Sequence, residues 1–102
     1  MPKRYGKAND TIDARVGEPF VIELEGNATT GYRWRLELSD DKVRLVDEQY
    51  VGQGGGAIGA GGTHVFTVEP VARGKATIRA LYKRGWDPHA AEQHEFHLDI
   101  KD

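Results

Sequence analysis

Cysteine is absent from the 102 residues, and serine occurs once, at Ser39. Without thiols the chain has no disulfide scaffold, no thiol nucleophile and no Cys-ligated zinc, and its redox compartment is not encoded in thiol usage. The lone serine has no histidine beside it and no G-x-S-x-G around it, so nothing points to a serine hydrolase. No apolar run approaches the roughly 20 residues that a membrane-spanning helix needs. An excess of positive charge is also missing. Fourteen basic side chains face sixteen acidic ones, for a formal net charge of -2 and a pI of about 6.1. Counterion release therefore offers little toward nucleic acid, and no basic stripe with interleaved aromatics is present. Helical periodicity is lacking too, with no stretch of about ten residues repeating at 3.6.

What the sequence has is alternation. Phe20, Ile22 and Leu24 alternate with Val21, Glu23 and Glu25. Trp34, Leu36 and Leu38 alternate with Arg33, Arg35 and Glu37, and Ala76, Ile78, Ala80 and Tyr82 with Thr77, Arg79, Leu81 and Lys83. Phe96, Leu98 and Ile100 repeat the pattern near the end. Successive side chains of a strand point to opposite faces, so each segment reads as a strand with one face on a core. Weaker strands are expected over Thr11–Val16, Val43–Tyr50 and Thr63–Val71. Breaks rich in Gly, Pro or Asx residues separate them, at Gly17–Pro19, Gly26–Asn27, Ser39–Asp41, Arg73–Lys75 and Gly85–Pro88. About seven short strands in one domain predict an all-β fold, an immunoglobulin-like antiparallel β-sandwich. Residues 1–9 read as an N-terminal extension and 10–102 as the domain. Met1–Asp10 is polar and basic with no apolar segment. The expectation is a cytoplasmic protein as written, or a periplasmic or secreted one if a leader was removed.

Three connections carry more than turn chemistry. The first, Asn27-Ala28-Thr29-Thr30-Gly31-Tyr32, is a tight bend of small hydroxylated residues; Asn27-Ala28-Thr29 also fits a glycosylation sequon. The second, Gly52–Gly62, has glycine at seven of eleven positions. Gly54, Gly56 and Gly59 match the G-x-G-x-x-G spacing of dinucleotide sites, but the following Thr63-His64-Val65-Phe66 is strand-like where that motif requires a helix. Such a bare backbone is either a spacer or an arm that exchanges main-chain hydrogen bonds with another protein. The third, Tyr82–His89, sets Trp86 close to Arg84 in a turn, and both are residue types enriched at binding hot spots.

Together the three segments resemble the chagasin-like inhibitors of papain-type cysteine peptidases. That family shows N-P-T-T-G-[FY], G-x-G-G and R-P-[WF] loops, in this order, on an immunoglobulin-like sandwich. The chain offers Asn27-Ala28-Thr29-Thr30-Gly31-Tyr32, Gly59-Ala60-Gly61-Gly62 and Arg84-Gly85-Trp86. Ala28 and Gly85 stand where the pattern has proline, which leaves those loops less preorganised. The resemblance implies a reversible inhibitor and not an enzyme, with three loops at one end of the sandwich plugging the peptidase cleft. It implies that Thr29, Thr30 and Gly31 sit over the catalytic Cys–His pair, that Gly59–Gly62 pairs with the cleft's backbone, and that Trp86 stacks across it. The implied partners are peptidases of papain and cathepsin L type, with no cofactor, metal, nucleic acid or membrane, and a monomer suffices.

Other readings use the same residues differently. An immunoglobulin-like adhesion or protein-binding module with a non-peptidase partner would also expose such loops. Asp40, Asp41, Asp47 and Glu48 read as solvated faces and turns, not as a catalytic set. A metal site would need His89, His94 and His97, yet a spacing of three on one strand sends His94 and His97 to opposite faces.

Overall fold

The computed structural model describes residues 3–6, 10–26, 31–38, 41–52 and 62–102. Among the described residues there are eight strands: β1 (Arg4–Tyr5), β2 (Thr11–Arg15), β3 (Phe20–Gly26), β4 (Tyr32–Leu38), β5 (Val43–Gly52), β6 (Gly62–Pro70), β7 (Gly74–Arg84) and β8 (Glu92–Lys101). One sheet has the order β1-β3-β6-β5 and the other β2-β8-β7-β4. The expected sandwich is present, and all seven expected strands lie within two or three residues of their predicted limits. The eighth, β1, is too short to show alternation, and it pairs in parallel with Val21 and Ile22 of β3.

Four of the six strand pairings among the described residues are antiparallel. The two parallel ones involve the N-terminal strands: β1 on β3, and β2 on β8 from Thr11↔His97 to Arg15↔Lys101. The N-terminal part of the chain thus supplies an edge to each sheet in turn.

The alternation fills the space between the sheets. Phe20, Ile22 and Leu24 of β3 and Phe66 and Val68 of β6 meet Ile12, Trp34, Ile78, Ala80, Phe96, Leu98 and Ile100 from the opposite sheet. Each large apolar side chain withdrawn from water contributes roughly 1.5–3 kcal/mol. Tyr5 packs on this core and meets the Phe20 ring edge-on at 5.8 Å, which fastens the short β1. On β8, His94 packs edge-on against the buried Phe96 at 4.7 Å, while the exposed His97 alternates to the other face.

The strand β5 departs from simple alternation. Leu45 lies opposite Val68 and Asp47 opposite Thr67, so Val46 is an extra, bulged residue. Beyond the bulge the facing inverts. Glu48 and Tyr50 lie opposite the buried Phe66 and His64, on the face that Val43 and Leu45 occupy before it. A bulge also bends its strand and increases local twist.

Candidate functional site

Consecutive antiparallel runs reverse direction at each connection, so the connections β3–β4, β5–β6 and β7–β8 all fall at one end of the sandwich. The register places their anchors there. Gly26, Gly62 and Gly52 form one row across the end of the first sheet. On the second sheet Tyr32 lies opposite Arg84. The two ends are tied together by the Trp34 indole, whose Nε1–H donates to the Glu25 carbonyl across the sandwich at 2.9 Å. Asn27, Thr29, Thr30, Gly59, Ala60 and Gly61 lie outside the described residues. Gly31, Tyr32, Gly62, Arg84, Gly85 and Trp86 are described, and all six belong to this end.

A stack of rings leads from the core to the tip. Trp34 packs on Tyr82 at 4.9 Å, and Tyr82 stacks on Tyr32 at 5.3 Å. The Arg84 guanidinium then lies 4.7 Å above the Tyr32 ring and 5.8 Å from the Trp86 ring. A cation over aromatic faces adds about 0.5–2 kcal/mol, the more so when desolvated. Arg84 Nε is buried and has no hydrogen-bond partner among the described residues, while the guanidinium stacks on these rings. Trp86 itself is 76% exposed.

Backbone bonds fix the segment bearing this tryptophan. The Asp87 amide donates to the Arg84 carbonyl at 3.1 Å, closing a turn with Gly85 and Trp86 at its centre. The Asp87 carboxylate accepts from the His89 amide at 2.9 Å, and the Ala91 amide donates to the Tyr82 carbonyl at 2.8 Å. The indole is thus presented to solvent on a braced support.

Gly31 has φ of +84°, which side chains with a Cβ rarely adopt, and a methyl built there would lie 3.6 Å from Cη2 of Trp86. Gly31 therefore lies close to the Trp86 ring. Gly62 meets a different requirement. A methyl there would come within 2.5 Å of the Tyr50 ring, so glycine admits Tyr50 over the start of β6.

Sequence reasoning missed the support beneath Gly62. Tyr50 reaches the Gly26 carbonyl at 3.5 Å and meets the His64 ring edge-on at 4.7 Å. His64 is 5% exposed, and its Nε2 has no partner among the described residues. Burial lowers its pKa below 6.5; Arg33 lowers it further, and Glu48 opposes the shift. His64 was legible as an inward position only once the register of β6 was known, and Tyr50 is hidden by the bulge before it.

Comparison with known proteins agrees with this geometry. The chain is 29% identical to chagasin of Trypanosoma cruzi over 99% of its length and 98% of that protein. It is 31% identical to amoebiasin-1 of Entamoeba histolytica, covering 83% of each. The crystal structure of EhICP2, a cysteine protease inhibitor of Entamoeba histolytica, superposes with a TM-score of 0.84. That match covers 96% of this chain and 94% of the other at 20% identity, and so speaks for the fold. The family model described as chagasin family peptidase inhibitor I42 matches residues 13–100. Nearly the whole sandwich, with all three loop anchors, falls inside that match, and the chain belongs to the chagasin family of peptidase inhibitors.

Proposed function

We propose that this protein is a reversible inhibitor of papain-type cysteine peptidases whose three loops form one wedge for the active-site cleft. One observation carries the reading: an exposed indole, braced by Arg84 and close to Gly31, stands at the end where the glycine-rich segment is also anchored. In this wedge Thr29, Thr30 and Gly31 lie over the catalytic Cys–His pair, with Asn27 and Tyr32 bounding the turn. Thiolate attack needs a carbonyl carbon in line at about 3–3.5 Å. A bend that offers the Thr30 hydroxyl and withholds such a carbonyl occupies the site without being cut. Gly59, Ala60, Gly61 and Gly62 supply main-chain donors and acceptors to the cleft's backbone, as an extended substrate does. Trp86 stacks across the cleft, where an aromatic pair adds about 0.5–1.5 kcal/mol beyond the area it buries. The chemistry belongs to the peptidase, and the inhibitor supplies shape.

The test is inhibition of papain by the parent protein and by Trp86→Ala. The substitution is expected to raise Ki by roughly 30-fold, about 2 kcal/mol, as for a central hot spot. Circular dichroism should be unchanged, because the indole is mostly exposed. Equal Ki values for the two proteins would remove Trp86 from the wedge.

A further inference from the structure

The outer face of the β2-β8-β7-β4 sheet changes character along its length. Away from the loops its cations stand beside carboxylates: Glu37, Arg79 and Glu95 form one cross-strand row, with Arg79 at 3.9 Å from Glu37 and 3.4 Å from Glu95. Toward the loops the rows hold no carboxylate among the described residues. Arg33 and Lys83 lie directly opposite each other, and the next row holds Arg35, Leu81 and Gln93. No ion pair joins Arg33, Arg35 or Lys83 to a carboxylate among the described residues. Glu92 shares the row of Tyr82 and so alternates to the other face, while the Asp87 carboxylate accepts from the His89 amide. Like charges directly opposite on a ladder are destabilising; elsewhere on this face Asp13 meets Asp99 and Arg15 meets Lys101, but among the described residues three cations share adjacent rows without a carboxylate at the loop end, a cluster that points to a use.

The opposite side of the same end carries the other sign. On the outer face of the β1-β3-β6-β5 sheet, Glu25 stands in a row with Thr63 and Val51. Glu23, one outer-face position further from the loops, is paired with Arg4 at 2.9 Å. The wedge is therefore flanked by cations on one side and by a carboxylate on the other, on a chain of net charge -2.

We infer that Arg33, Arg35 and Lys83 form an electrostatic docking face for the target peptidase, fitted to acidic side chains along one wall of its cleft. This rests on the inhibitor reading above, because the face is continuous with the loop end and is engaged only if the loops enter a cleft. Charges at the rim of an interface act mainly on encounter and orientation, and electrostatic steering raises association rates by roughly 10–1,000-fold. The sign difference across the wedge sets which way round it enters.

The experiment is stopped-flow association of the intact protein with a papain-type peptidase that has an acidic cleft wall. The same peptidase, with those carboxylates changed to amides, is measured in parallel. The triple variant R33E/R35E/K83E is expected to associate about tenfold or more slowly with the acidic-walled enzyme at about 0.01 M salt. The difference should largely vanish at about 1 M salt, where the screening length is roughly 3 Å. It should also vanish on the amidated peptidase, with dissociation rates unchanged. The neutral triple R33Q/R35Q/K83Q should show a smaller loss in the same direction, separating charge from any effect on folding. An unchanged association rate, with Trp86→Ala still raising Ki, would overturn the docking face and leave the inhibitor reading standing. If the parent inhibits no papain-type peptidase, the inhibitor reading fails and the docking face fails with it. Loss of heparin or oligonucleotide binding without a change in peptidase association would assign the cations to a polyanion instead.

Discussion

At the residue scale, Gly85 is the position where the loop can be improved. The Arg84–Asp87 turn places it second of four, the site at which proline presets φ. Its φ is not positive, and a Cβ there would meet nothing within 4 Å among the described residues. Arg84 before it is already in a strand, as a residue preceding proline prefers. Gly85→Pro is thus expected to stabilise the protein by about 0.4–1 kcal/mol and to lower Ki by roughly two- to fivefold, read by thermal melting and papain titration. Gly62 behaves oppositely, since any side chain there displaces Tyr50 before it meets a peptidase. His64 gives the protein a pH dependence of determined sign. Its folded pKa is depressed by burial, so its contribution is complete above the unfolded value of 6.5 and is lost as pH falls through the folded value. Thermal midpoints should drop on acidification from about pH 7 toward pH 5, and His64→Gln should flatten that part of the profile. An equally steep profile in the variant would move the effect to another group.

At the scale of elements, the sheets were legible where one face is buried throughout. Ala76–Tyr82 and Phe96–Ile100 alternate because each lies in an interior strand, and Phe20–Leu24 does so apart from Val21, which is also buried. The strand β5 gave only a weak signal, since Val46 interrupts the period and puts Glu48 and Tyr50 where hydrophobic residues would be expected. The two residues of β1 gave none, since pairing rather than pattern makes them a strand. The parallel pairing of β2 on β8 is likewise a long-range choice that neither segment carries alone. The bulge itself is testable. Deleting Val46 removes the extra residue while leaving both flanking registers intact. The fold should survive within about 1 kcal/mol, but the hairpin that leads into 53–61 would lose its bend. Ki is expected to rise about tenfold, or 1.4 kcal/mol.

At the scale of the whole molecule, the three motifs were legible as loops, and their gathering at one end follows from reversal of the chain at each connection. What the residues did not disclose is how they are braced: the Trp34–Tyr82–Tyr32–Arg84 stack joins side chains from two strands of one sheet. It is a property of register, as is the face shared by Arg33 and Lys83. The interior strand β8 binds both β2 and β7. Removing residues 92–102 takes away that strand and the buried Phe96, Leu98 and Ile100. The truncated chain is expected to lose cooperative melting and all inhibition of papain, because each such side chain contributes roughly 1.5–3 kcal/mol against a total stability of about 5–15 kcal/mol.

The pairing of Thr11 with His97 has a bearing on biosynthesis. The first long strand must wait, unpartnered, until residues 97–101 have been translated. Contacts so distant in sequence form late and slowly. A chain still lacking β8 therefore holds its loops on an unclosed frame, and inhibitory power arrives only once that strand has emerged and paired.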